Sequence, residues 1–158
     1  MFKDTQFVAV SLLAIAGLTA PNPARAQSDI AAQHRQCERE LVAASEAIGH
    51  AFATRDLERF MAPFLDDAIQ VNTLGEVFNG KPAVTEFYRA VMANNYTFSN
   101  VVLSRRIDGC NTATVVDRVV FAIPGTSVQF YAIDVASWIR VRGQWRLRAD
   151  TTTRVARP

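Results

Sequence analysis

The sequence predicts an α+β fold: a curved, cone-shaped antiparallel sheet wrapped around three N-terminal helices. Three observations carry that reading. Apolar residues recur three and four apart early in the chain, at Leu41, Ala44, Ile48 and Phe52. The second half holds four long segments rich in β-branched residues. Turn signals separate those segments at Asp108-Gly109, Pro124-Gly125 and Arg142-Gly143.

The elements follow in order. A first helix is expected over Ser28–Thr54, and Asp56 caps a short second helix carrying Leu57, Phe60 and Met61. Pro63 limits that helix, and Ala68–Asn72 reads as a short strand. Pro82 suits the first turn of a third helix, with a stripe of Val84, Phe87, Tyr88 and Val91. Four strands are expected at about Tyr96–Ile107, Thr112–Ile123, Val128–Val141 and Gln144–Val155. Several are apolar on both faces. In Thr112–Ile123, for instance, Val115, Val119 and Phe121 alternate with Val116, Val120 and Ala122. A sheet of that kind is covered on both sides. The helices cover one face, and a second copy of the chain covers the other, making a homodimer. Ordinary β-branched composition on a partly exposed sheet is the plainer reading.

Residues 1–26 read as a secretory signal peptide. Lys3 precedes an apolar run from Phe7 to Ala20, and Ala24-Arg25-Ala26 fits the small-x-small cleavage pattern before Gln27. The run is short for a membrane span, so no stable membrane anchor is expected. The Arg25-Ala26-Gln27 junction has a bacterial look, which places the mature chain in the periplasm or the medium. Residues 27–158 then form one domain, long enough to bury a core. The full chain of 158 residues carries a formal charge of +2, and the mature part is nearly neutral. No concentrated basic surface argues for nucleic acid as a partner. Cys37 and Cys110 are the two cysteines, and an exported context favours a disulfide over two buried thiols. His34 and His50 are isolated, so no metal site is expected, and nothing points to a cofactor.

A family resemblance adds to this reading. Asp56-Leu57, Asp66-Asp67-Ala68, Gly75, Gly80 with Phe87-Tyr88, and Ile133-Asp134-Val135 resemble the nuclear-transport-factor-2-like superfamily, SnoaL-like proteins included. Within it, the bacterial steroid Δ5-isomerases look most similar. The resemblance covers nearly all of the mature chain, and it implies a cone-shaped cavity. Those isomerases use an aspartate base, with a tyrosine and a protonated aspartic acid that hydrogen-bond the enolate. By position, the base falls on Asn72, the tyrosine on Ile48 and the aspartic acid on Asp134. An asparagine takes up no proton near neutral pH, so the usual isomerase mechanism is not expected. Tyr88 is a possible partner for Asp134.

Strand alternation aligned on the isomerases turns Asp117, Val119 and Phe121 inward, with Phe130, Asp134 and Trp138, and Arg148, Asp150 and Thr152. Trp145, Leu147 and Ala149 form an apolar set of the opposite phase on the last strand, so a one-residue slip would turn Arg148 and Asp150 outward. Limonene-epoxide-hydrolase-like enzymes are a second resemblance. By position, Asn72 matches their water-holding asparagine, and Asp117 and Asp150 match their two acids. Their arginine falls on Val115 and their tyrosine on Gln70, with Arg148 as the replacement cation. On that reading Asp150 activates water with Asn72, and Asp117 protonates a leaving oxygen. The competing reading makes Asp117, Arg148 and Asp150 a structural ion-pair network. Ile48, Phe60, Phe64, Phe87, Tyr88, Phe121, Phe130 and Trp138 are the candidate lining for a small apolar molecule. Three classes stay open: an isomerase, lyase or hydrolase without cofactor; a binding protein without catalysis; and an accessory domain whose cone is filled by its own side chains.

Overall fold

The computed structural model describes residues 23–157, with side chains from residue 27 onward. Residues 1–22, most of the segment read as a signal peptide, lie outside the described residues. Helix α1 spans Pro23–Ala53. Its described part begins at Pro23, ahead of the expected Ser28. Asp56 caps α2 (Leu57–Met61) by accepting from the Arg59 N–H at 3.0 Å. Strands β1 (Phe64–Val71) and β2 (Val77–Asn79) follow, then α3 (Lys81–Met92). Gly80 precedes α3 at φ 82°, a conformation that glycine takes without strain. The four long strands are β3 (Thr97–Asp108), β4 (Thr112–Ala122), β5 (Gln129–Val141) and β6 (Gln144–Val155). The early start of β1 and the whole of β2 go beyond the sequence expectation.

The six strands form one unclosed sheet in the order β2-β1-β6-β5-β4-β3. Hairpins make β3 to β6 antiparallel, as expected. Strand β1 instead runs parallel to β6, pairing Gln70 with Asp150. Turn signals set the direction of consecutive strands only, and β1 reaches its partner through α3 and four intervening strands. Register shifts interrupt the pairing at Val102/Ser104, at Ser137/Trp138 and between Phe64 and Ile69. Such bulges bend and twist a sheet locally, and the helices pack into the resulting hollow. The buried cluster there includes Leu41, Val84, Val115, Trp138 and Leu147. Phe60 packs within 5.3 Å of Phe52 and 4.5 Å of Tyr88, ring centre to ring centre.

A Cys37–Cys110 disulfide ties α1 to the turn between β3 and β4. Arg140 braces it, with Nη1 2.8 Å from the Cys37 sulfur and 2.9 Å from that of Cys110. Its other nitrogen pairs with Glu40. The Trp145 indole donates to the Cys37 carbonyl at 3.1 Å. An intramolecular disulfide fits an oxidising compartment. Among the described residues no helix is long and apolar enough to cross a membrane.

The bridged residues are 73 apart, so the bridge constrains a long loop of the unfolded chain. Replacing both cysteines by alanine is expected to lower the unfolding free energy by about 4 kcal/mol. Urea denaturation measures this, and equal midpoints for the two proteins would contradict it.

Candidate active site

Strand β6 carries the acid of the site, and a bulge aims it. Ser137 pairs with Ala149, but Trp138 pairs with Leu147, which leaves Arg148 as the extra residue. The bulge resets the alternation. Trp145 and Leu147 are buried on the inner side before it, and Asp150 is buried on the inner side after it. Arg148 is exposed. Both phases weighed for this strand therefore hold, one on each side of Arg148.

The inner face and the helices line a cavity of about 100 Å³. Its apolar lining includes Ile48, Phe52, Phe60, Phe121, Trp138 and Leu147. Its polar lining is Ser45, Tyr88, Asn100, Asp117, Asp134, Asp150 and Thr152, with no Lys, Arg or His. Antiparallel pairing lines up three of these side by side: Asp117 opposite Asp134, and Asp134 opposite Thr152. Asp150 stands one inward position along β6.

Hydrogen bonds join the row. Thr152 Oγ1 donates to Asp134 Oδ1 at 2.7 Å. The Tyr88 hydroxyl lies 2.7 Å from Asp150 Oδ2 and 2.6 Å from Gln70 Oε1. Gln70 is fully buried, and its amide nitrogen donates to the Val71 carbonyl at 2.9 Å. That nitrogen also lies 3.5 Å from Thr152 Oγ1. Asn100 Nδ2 reaches Asp117 Oδ1 at 3.4 Å. Two buried polar atoms of the lining residues have no partner, Asp150 Oδ1 and Trp138 Nε1.

Burial pushes the Asp150 carboxyl well above the usual carboxylate range, and the charge of Asp134 adds to the effect. Burial also raises Asp134, opposed by its polar contacts with Asp150 and Thr152. Asp117 is raised by its own partial burial and then by Asp134, while Asn100 and Arg105 oppose the shift. Burial, then the charges of Asp150 and Asp134, push the Tyr88 phenol well up, so it stays protonated. Three carboxyls share one apolar space with no lining cation, so protonation rather than ion pairing is their way of staying buried.

The sequence candidates divide by place. Ile48, Phe60, Tyr88, Asp117, Phe121, Asp134, Trp138 and Asp150 line the cavity. Asn72 does not. It ends β1 in a tight turn, where its carbonyl accepts from the Leu74 and Glu76 N–H groups and its amide donates to Glu76. Arg148 points to solvent, so neither an ion-pair network with Asp117 and Asp150 nor a cation between those acids forms. Phe64 packs in the core against Phe60 and Tyr88. Phe87 stacks on Phe78, outside the cavity lining. Phe130 shares a face with Phe121 but lies beyond the cavity, under the Arg154 guanidinium. Tyr88 partners Asp150 and Gln70, while Asp134 takes its hydrogen bond from Thr152. Ser45 and Asn100 are polar lining residues that sequence reasoning did not single out, and Gln70 entered it only as the place of a missing tyrosine. Gln70 was legible in part, because it lies two residues after the buried Ala68 and shares its inward phase.

A curved unclosed sheet with helices in its hollow and acids on its inner face defines a nuclear-transport-factor-2-like protein. The chain belongs to the SnoaL-like domain family, whose model matches residues 46–147. Asp150 and Thr152 fall just past that match. A candidate scytalone dehydratase from Novosphingobium aromaticivorans is similar in structure, with a TM-score of 0.68 and 13% identity over 80% of this chain and 89% of that one. A ketosteroid isomerase-like protein from Erwinia carotovora has a TM-score of 0.65 and 17% identity, covering 75% of this chain and 96% of that one. A candidate dehydratase of the same superfamily from Streptomyces avermitilis has a TM-score of 0.67 and 16% identity, over 78% and 99% of the chains. At such identities the likeness shows the fold. Comparison with curated protein sequences gives no match.

The raised Asp150 has a consequence for stability. Below about pH 3.9 an aspartate is protonated in the folded and unfolded chain alike. Above that, the unfolded chain ionises while the fold keeps its proton, so stability falls as pH rises toward the folded value. Asp150→Asn removes this contribution and keeps a neutral side chain beside Tyr88. Its thermal midpoint at neutral pH is expected at or above that of the wild type, with a shallower decline from about pH 4 upward. Thermal unfolding across pH measures both. A less stable variant with the wild-type slope would show that Asp150 is ionised in the fold.

Proposed function

We propose that the protein is an exported, cofactor-independent proton-transfer enzyme of the isomerase and dehydratase kind. Its substrate is a small, mostly apolar molecule carrying an oxygen function. One observation carries the reading: a single apolar cavity holds a deeply buried acid pair, Asp134 and Asp150, directly beside the more exposed Asp117. Environments that separate two carboxyls in this way divide acid and base roles between them. Asp117 acts as the ionised member and takes a proton from carbon. Asp134 and Asp150 deliver a proton to the substrate oxygen. In migration, Asp117 returns its proton to another carbon as the substrate oxygen gives its proton back to the acid pair. In dehydration, the C–O bond breaks and the hydroxyl leaves as water with the proton from the pair. Because burial and Asp134 raise it, Asp117 is a stronger base than an ordinary carboxylate.

The cavity volume favours a compact molecule over a four-ring steroid. The names of the structural neighbours, an isomerase-like protein and candidate dehydratases, support the same reaction class. Water activation by Asp150 with Asn72 loses its support, since Asn72 sits in a turn and Asp150 favours its proton.

Both reactions begin by removing a carbon-bound proton, so deuterium uptake tests them together. Small enones and β-hydroxy ketones incubated in D₂O are expected to gain deuterium next to the carbonyl, read by NMR. Asp117→Asn should slow uptake about 10²–10⁴-fold. The wild-type rate should rise with pH as Asp117 ionises, with a midpoint above the ordinary carboxylate range. Uptake indifferent to Asp117→Asn sinks the base assignment. Compounds that raise the thermal midpoint without any uptake would make the protein a binder.

We also propose that a second copy covers the outer face of the sheet. Val101 and Leu103 of β3 are 56% and 50% exposed there, beside half-buried Val116, Val120, Ile133 and Val135. Sedimentation is expected to show a dimer, and Val101→Lys with Leu103→Lys a monomer. A monomeric wild type at micromolar concentration rejects this reading.

A further inference from the structure

Five side chains from four elements form a ring beside the cavity: Gln70 on β1, Tyr88 on α3, Asp134 on β5, and Asp150 and Thr152 on β6. The ring constrains its own protons. The amide of Gln70 has one possible orientation, because an oxygen in place of its nitrogen would face the Val71 carbonyl at 2.9 Å. Gln70 Oε1 therefore faces Tyr88, and it brings no proton to that 2.6 Å contact. The phenol must supply one. A hydroxyl has a single proton, so none is left for the 2.7 Å contact with Asp150 Oδ2. Two oxygens that close need a proton between them, and Asp150 is the remaining source.

We infer that Gln70 is a positioning residue: by taking the Tyr88 proton, it obliges Asp150 to carry its own proton toward Tyr88, and so sets which carboxyl of the cavity is the acid. The carboxyls acting on Asp150 push it up, and only a hydrogen bond donated by Tyr88 would push it down. Tyr88 reaches it from α3, Asp134 from β5 and Asp117 from β4, and both carboxylates favour its neutral form. From β1, the neutral Gln70 places an acceptor behind the phenol where a cation or second donor would have freed the phenolic proton for Asp150. Thr152 donates to Asp134, which offsets part of the upward push of burial on that neighbour. The proton placement stands on geometry alone. The acid role given to Asp150 rests on the proposed function.

The test is a double-mutant cycle on the titration of Asp150. The full-length mature protein is labelled at the aspartate carboxyl carbon, and Asp150→Asn assigns the signal. Gln70→Met keeps the length of the side chain and removes the acceptor. Tyr88 is then free to donate to Asp150, and the proton-binding constant of Asp150 is expected to fall by about tenfold or more, one pH unit. In a Tyr88→Phe background the same Gln70→Met change should move it far less. An equal fall in both backgrounds would mean that the substitution merely admits water, and no fall would mean that Gln70 does not hold the phenolic proton. Either result overturns the inference. Gln70→Leu repeats the cycle should the methionine variant not fold. No substrate enters this measurement. A shift of Asp150 in a protein that never exchanges deuterium would therefore keep the positioning role and reject the enzyme reading. If exchange is present, Gln70→Met should also move the high-pH limb of its profile downward.

Discussion

The site depends on one extra residue in β6. This strand lies inside the sheet, parallel to β1 on one side and antiparallel to β5 on the other. It must fill the core with Trp145 and Leu147, and it must also present Asp150 and Thr152 to the cavity. Strict alternation forbids both, because odd and even positions face opposite ways. Leaving Arg148 unpaired solves the conflict at the residue best suited to sit in water. The same bulge sharpens the local bend of the sheet. Packing and chemistry are thus divided along one strand by a single unpaired position.

What surrounds Asp150 explains how an acid survives there. An ionised carboxylate buried without a cation is costly, and an ion pair recovers that cost only with good geometry. This chain places its cations elsewhere. Arg140 is engaged with the disulfide and Glu40, Lys81 with the Phe64 carbonyl, and Arg148 faces solvent. Around Tyr88, the rings of Phe52, Phe60, Phe64 and Phe87 exclude water from one side. The polar ring of Gln70, Tyr88, Asp134 and Thr152 supplies hydrogen bonds from the other. An acid held in such a place stays neutral, and a neutral acid in an apolar cavity is a proton donor.

The local elements were legible because they are written in local signals. Helical spacing marked α1 and α3, and the glycine-containing turns marked the hairpins of β3 to β6. The inward phase of Asp117 and Asp134 followed from alternation because the extra residues lie on β3 and β6, not on β4 or β5. What failed was non-local. The parallel pairing of β1, the short β2 and the bulge at Arg148 arise from contacts between distant segments, and no spacing rule reports them. Asn72 failed for a related reason. Position matching treats it as a strand residue facing inward, but Gly75 at φ 80° lets the chain fold back, and the asparagine holds that turn together. Gln70 was read only as a departure at a tyrosine position, because a lone glutamine in a strand carries no chemical signal until its burial is known.

The displacement of Asn72 also bears on what the cavity does. The family resemblance put the base at the end of β1 and found an asparagine there, which suggested a pocket that had lost its chemistry. The inner face of a curved sheet, however, offers equivalent positions on every strand. Asp117 on β4 stands directly across from Asp134, closer to solvent than the acid pair and equally turned toward the cavity. On the proposed reading the base has moved along the sheet while Asp134 has stayed. Three carboxyls in an apolar space each cost stability at neutral pH. Retaining them makes sense when their separated proton affinities are what the cavity is built to use.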